Sequence, residues 1–138
     1  MKYKNIINFE GKSDDEVLEI LIESYKHPDT LYILPKNSSY LFYNSKNFKY
    51  VGNWDTSNVT DMSWMFSYSG FNGDISNWDI SNVKYMNNIF YSSKFNGDIS
   101  DWNVSNVKTM SDMFSYSKFD GDISKWNIHK NTILSKIF

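Results

Sequence analysis

From Trp54 to the end of the chain, apolar and polar positions recur with a period of 24, in place of the 2 of a strand or the 3.6 of a helix. Setting Trp54, Trp78, Trp102 and Trp126 in one column gives WDTSNVTDMSWMFSYSGFNGDISN, WDISNVKYMNNIFYSSKFNGDISD, WNVSNVKTMSDMFSYSKFDGDISK and a shortened WNIHKNTILSKIF. Twelve columns are identical in the three complete units, which marks one supersecondary unit built several times over. The Phe column of Phe66, Phe90 and Phe114 extends back to Phe42 and forward to Phe138, each preceded by a bulky apolar residue. Residues from Leu31 to Asn53 therefore read as an eroded first turn, and about five coils are expected.

Within a unit, Ile75, Trp78 and Ile80 follow the pattern LxxLxL, which predicts a strand with Trp and Ile inward and Asp79 and Ser81 outward. Val83, Met86, Ile89 and Phe90 recur at three- and four-residue steps, the face of a short helix or 3-10 turn. Phe71 or Phe95 fills the corner, and Gly73 or Gly97 permits a tight return. One unit cannot bury its Trp, Met and Phe alone, whereas stacked units close a continuous core. The expected fold is an α/β solenoid, leucine-rich-repeat-like, whose core is Trp54, Trp78, Trp102, Trp126, Phe66, Phe90, Phe114, Ile75, Ile99 and Ile123.

The ends of the array depart from the period. The N-terminal part reads as a strand KYKNIINF, a helix from about Asp14 to Lys26 and a strand LYIL before Pro35. Ser13 with Glu16 forms a capping box, Asp14 and Asp15 suit the positive helix start, and Pro28 marks the stop. Val17, Leu18, Leu21 and Ile22 make a stripe expected to lie over the first coil. Residues 1–34 thus read as a cap and 35–138 as the array, its last coil truncated. In that coil Ser-Asn-Val becomes His129-Lys130-Asn131, and Lys125 and Lys136 add charge near a strand edge, as at a natural end. Ile128, Ile133, Leu134, Ile137 and Phe138 remain apolar there, which predicts an end-to-end homodimer or a docked partner.

At 138 residues the chain has the size of one domain. Net charge is -2 and all 14 basic residues are Lys. Without Arg the bidentate contacts to phosphate and guanine are missing, which argues against nucleic-acid binding. Absent Cys removes disulfides, thiolate zinc sites and cysteine nucleophiles. The start MKYKNIINFEGKSDDEV has no apolar run of signal-peptide length, and no segment reaches membrane-spanning length. A cytoplasmic or host-cell interior location is expected, with the cell surface as the alternative if a leader was removed.

The blocks WD-x-SNV-x-x-M-x-x-MF and F-N-x-DIS, repeated in order from Trp54 to Trp126, resemble the BspA-type repeats. These are a branch of the leucine-rich-repeat class frequent in mycoplasma and other bacterial surface proteins and in some large viruses. The resemblance implies an adhesive or partner-binding scaffold. Asn58, Asn82 and Asn106 sit one position earlier than the usual ladder Asn of that class, so an Asn ladder is expected with partners the sequence does not name.

Catalysis finds little support. His27 and His129 are too far apart in the inferred array to cooperate, and no Ser-His-acid set or histidine metal cluster assembles. Gly70, Gly73, Gly97 and Gly121 lack phosphate-loop spacing. No cofactor is expected. Asp74, Asp98 and Asp122 form one acidic column; Asp55 and Asp79, continued by Asn103 and Asn127, form another. Turn capping or calcium could hold such columns, and the missing glycine nonapeptide of calcium rolls favours capping.

Recognition residues are sought where a column varies while its neighbours stay constant. Trp64 heads a column continued by Asn88 and Asp112, and Tyr85 stands with Asp61 and Thr109. Tyr68, Tyr91 and Tyr116 extend this aromatic decoration of the helical side, the type of surface favoured in contacts. A concave face of Asn77, Asp79, Ser81, Asp101 and Lys125 competes with it. The expected function is a non-catalytic scaffold binding a protein partner, such as a viral or bacterial factor acting on a host or defence protein. An adhesin fragment binding extracellular matrix protein or glycan is the alternative.

Overall fold

The computed structural model describes residues 2–138 of the chain. Its smallest building block is the Asp-x-Ser triplet. Asp74 Oδ1 accepts the N–H of Ser76 at 2.9 Å, and Asp79, Asp98 and Asp122 do the same for Ser81, Ser100 and Ser124 at 3.0, 3.0 and 2.8 Å. Such an Asx turn gives the backbone an alternative to a sheet ladder. Each is followed by a second bend: the N–H of Trp78 donates to the Ile75 carbonyl (3.2 Å) and that of Val83 to the Ile80 carbonyl (2.9 Å). The expected strand at Ile75–Ile80 is therefore replaced by turns.

The second half of each unit also differs from expectation. The N–H groups of Met86, Asn88, Phe90 and Ser92 donate to the carbonyls of Thr109, Ser111, Met113 and Ser115 in the next unit, at 3.1, 3.0, 3.0 and 2.8 Å. Donors committed outward cannot close an α-helix, and the intervening Tyr91 and Ser93 N–H groups close only four-residue turns onto Asn88 and Phe90. The same pattern ties Ser38, Tyr40, Phe42 and Asn44 to the second unit, Met62, Trp64, Phe66 and Tyr68 to the third, and Met110, Asp112 and Phe114 to the last. Single-residue parallel bridges link Asn37, Asp61, Tyr85, Thr109 and Ile133 along one line. The units are thus joined rung to rung by backbone hydrogen bonds.

This ladder requires left-handed backbone at two positions per unit. Tyr40, Trp64, Asn88, Asp112 and Lys136 share one such column, with φ of 60°, 61°, 57°, 54° and 53°; Asn44, Tyr68, Ser92 and Tyr116 share the other. Gly73, Gly97 and Gly121 are not among the positive-φ glycines, so a tight return does not explain them. A Cβ on Gly73 would lie 2.5 Å from a ring atom of Phe71, and one on Gly97 or Gly121 would meet Phe95 or Phe119 at 2.8 or 2.7 Å. These glycines leave room for the Phe ring two residues earlier.

Those rings and the Phe42 column fill a single core. Phe42, Phe66, Phe90, Phe114 and Phe138 stack at 5.6, 5.7, 5.8 and 5.3 Å. Phe48, Phe71, Phe95 and Phe119 form a parallel stack beside them at 5.1, 6.2 and 6.3 Å. Trp54, Trp102, Trp126, Ile75 and Ile99 are buried in the same cluster, and Trp78 and Ile123 are partly buried against it. The indole N–H of Trp102 donates to Ile75 O (3.1 Å) and that of Trp126 to Ile99 O (2.9 Å), each reaching 27 residues back along the chain. Asn82 and Asn106 donate to the Ser57 and Ser81 carbonyls at 2.7 Å, which gives these two members of the Asn column their partners.

The cap occupies the place of a preceding unit. Strands β1 (Asn5–Ile7), β2 (Thr30–Ile33) and β3 (Asn53–Asp55) form a parallel sheet in that order, with Tyr32 opposite Trp54. Helix α1 (Asp14–Ile22) begins at the Ser13–Glu16 capping box, and a 3-10 turn (Ser24–Lys26) follows. Val17 and Leu21 are buried and Leu18 partly so, but Ile22 is 39% exposed; Ile20 packs against the core in its stead. The Trp54 indole donates to Ser24 Oγ at 2.7 Å. Gly52 allows that approach, since a Cβ there would fall 2.5 Å from the same oxygen.

Candidate functional site

The outward side chains assemble into one aromatic strip along the turn side of the array. Its backbone follows from the sequence pairs Tyr43-Asn44, Ser67-Tyr68, Tyr91-Ser92 and Ser115-Tyr116. Tyrosine alternates between two adjacent columns, and whichever column lacks it carries a small polar residue. The result is a zigzag: Tyr43, Tyr68, Tyr91 and Tyr116 meet edge to face at 5.6, 5.6 and 5.4 Å, with interplanar angles of 81°, 67° and 74°. Edge-to-face pairs are a favoured aromatic geometry. The small partners serve the backbone, Ser67 Oγ donating to Asn88 O and Ser115 Oγ to Lys136 O (3.3 Å).

Trp64 joins this strip at its upper end. It stacks on Tyr40 at 5.8 Å and 5°, and meets Tyr43 at 6.3 Å and Tyr91 at 5.7 Å. Both Tyr40 and Trp64 hold the left-handed backbone that Asn88 and Asp112 occupy in later units. Left-handed backbone is common for Asn and Asp and exceptional for bulky residues, so two aromatic rings are kept here against local preference. Lys46 Nζ lies 5.5 Å from the centre of the Tyr68 ring, a cation–π contact. Lys94 and Lys118 follow at the same position of later units and are exposed. The Tyr91 phenol is raised above its ordinary pKa, first by loss of water and then by neighbouring Tyr68 and Tyr116. Tyr116 is the most open member, at 83%.

Trp64, Tyr68, Tyr91 and Tyr116 are thus brought together, and Tyr40, Tyr43 and Lys46 complete the set from the eroded first unit. Their signal was in the sequence: Tyr43-Asn44 stands one period before Ser67-Tyr68. Tyr85 belongs elsewhere. It lines a separate groove of about 550 Å³ with Lys108, Thr109, His129, Thr132 and Ile133. The acidic candidates do not converge. Asp79 Oδ1 is taken by the N–H and Oγ of Ser81, and Asp101 pairs with Lys125 at 3.2 Å on open surface. Hydrogen bonds from Ser76, Ser81, Ser100 and Ser124 hold the carboxyls of Asp74, Asp79, Asp98 and Asp122 below the usual aspartate range. Asn103 makes the same turn as Asp79, accepting from Ser105 N–H and Oγ at 3.1 and 2.7 Å, so the turn needs no charge. Among the described residues no group of three or more His, Cys, Asp or Glu is placed to hold a metal ion, and no helix is long and apolar enough to cross a membrane.

The chain thus carries 24-residue units and an outward aromatic strip. The family model described as "Mycoplasma protein of unknown function, DUF285" matches residues 36–138, and the chain belongs to that family. No curated protein and no solved structure matches the chain.

Proposed function

We propose that the chain is a leucine-rich-repeat-like solenoid of the BspA type that works as a non-catalytic scaffold, binding a protein partner through the Tyr40–Tyr116 aromatic strip. The observation carrying this reading is the pair Tyr40 and Trp64. They hold left-handed backbone where Asn88 and Asp112 serve the fold at less strain, so architecture alone does not account for their rings. Tyr and Trp are the side chains that dominate binding energy at protein interfaces. The polar residues with candidate chemistry support the same reading, because their acceptors are used on turns within the array.

The repeats themselves supply the test. Trp64→Asn, Tyr68→Ser and Tyr91→Ser each introduce a residue that another unit already carries in that column. The triple variant is expected to keep its circular-dichroism spectrum and lose the protein captured by the unaltered chain; undiminished capture would refute the strip as the contact surface. Exposed Ile133, Leu134 and Phe138 on the last unit support a second reading, end-to-end association of two copies. A single monomeric species in sedimentation at high concentration would retire it.

A further inference from the structure

The alternation of tyrosine between adjacent columns sets a repeat of two units on the strip. Rungs joined by parallel backbone hydrogen bonds lie about 4.8 Å apart, so Tyr43 and Tyr91 are about 9.6 Å apart along the array axis, as are Tyr68 and Tyr116. The two rows are offset by half that distance. A polyproline II helix advances about 3.1 Å per residue and completes a turn in three, about 9.3 Å. Residues three apart on such a helix would therefore match the spacing of one tyrosine row, while the intervening residues, at about 3.1 and 6.2 Å, pass about 1.5 Å to either side of the tyrosine that the other row places at about 4.8 Å. The match to within about 0.3 Å per turn holds over the one turn that each row offers, about one and a half turns for the whole strip.

We propose that the Tyr43–Tyr68–Tyr91–Tyr116 zigzag docks a proline-rich segment of a partner protein in the polyproline II conformation, a refinement that rests on the scaffold reading above. Pre-formed polyproline helices lose little entropy on binding and pack against aromatic grooves, which suits a strip without deep pockets. From Tyr43 to Tyr116 the axis spans roughly 14 Å, room for about five residues of such a helix. The ring geometry argues against a sugar platform: stacking on sugars uses outward faces in a common plane, whereas these rings meet at 67° to 81°. Charge adds to the match. Lys46 stands over Tyr68, and Lys94 and Lys118 resume its column after Gly70; three lysines against the one carboxylate of Asp112 beside Tyr91 favour a segment with acidic residues beside its prolines.

The test titrates the full chain into fluorescently labelled synthetic peptides of roughly twelve residues, long enough to overhang the strip. The sequences are repeating Pro-Pro-Glu, Pro-Pro-Lys and Gly-Gly-Glu. Pro-Pro-Glu is expected to raise the anisotropy, Pro-Pro-Lys to bind more weakly, and Gly-Gly-Glu, which lacks the pre-formed helix, to stay free. Tyr68→Ser with Tyr91→Ser should weaken the Pro-Pro-Glu complex at least about tenfold at an unchanged circular-dichroism spectrum. Equal binding of the Gly and Pro peptides, or a double variant that binds as tightly as the unaltered chain, overturns the inference. So does binding of a cello- or chito-oligosaccharide in place of the peptide. If peptides fail while protein capture still depends on Tyr68 and Tyr91, this inference falls and the scaffold reading stands; if capture is also indifferent to them, both fall.

Discussion

Aromatic ladders run along the array both inside and outside, and the two kinds obey different rules. The inner Phe66, Phe90 and Phe114 occupy one column without exception and lie nearly parallel, at 7° and 4°. The outer Tyr43, Tyr68, Tyr91 and Tyr116 change column at each step and meet edge to face. Inside, each ring has neighbours above, below and beside it, so only one position and one size fit. Outside, a ring needs just one good contact per side and the column is free to shift. A repeat keeps what packing dictates; its outward departures show where another pressure acts.

The sharpest way to break this comparison is to remove one ring from each ladder. Phe90→Ala should cost roughly 3 to 5 kcal/mol in chemical denaturation, by loss of transfer energy and a cavity between Phe66 and Phe114. Tyr91→Ser, next to it in sequence, should cost less than about 1 kcal/mol, because its ring is only partly buried and Ser already occupies that column in two units. Equal losses would erase the distinction. At the cap, Gly52→Ala should destabilise by about 1 to 3 kcal/mol, since the added methyl displaces Ser24 from the Trp54 indole. Trp64→Asn should change stability by less than about 1 kcal/mol: relief of left-handed strain, about 1 kcal/mol, offsets the lost stacking on Tyr40. A large loss there would make Trp64 a core residue and remove the functional reason for its ring.

The smallest effect concerns pH. Asp74, Asp79, Asp98 and Asp122 have folded-state pKa values below their unfolded ones, so their stabilisation is present above the ordinary aspartate value and is lost as pH falls through the folded value. Melting temperature should be level above about pH 5 and decline below about pH 4, by a modest amount because the groups are exposed. Asp79→Asn should keep the turn, as Asn103 does, and shrink that decline.

How much of this could be read from residues alone depended on what a residue's neighbours demand. The inward Phe columns show in the period because packing forces identity at every rung. The units' local structure was misread where Ile75, Trp78 and Ile80 suggested a strand. Hydrophobic spacing records which side chains go inward, while Asp74 and Asp79 bend the backbone between them through Ser76 and Ser81. The same limit hid the ladder bonds of Met86, Asn88 and Phe90, whose three- and four-residue steps imitate a helix. Of the outward residues, Tyr68, Tyr91 and Tyr116 stood out as decoration, but their zigzag falls across two columns. Tyr85 was grouped with them by side, whereas its ring lines a different groove.

The hydrogen bonds that join the units run along the axis of the array, and each unit is threaded to the next by a single strand of chain. Pulling the chain from its ends should therefore detach one coil at a time, like turns leaving a spring. Each complete unit would release 24 residues, about 80 Å of extended chain, and the number of such equal steps counts the complete coils.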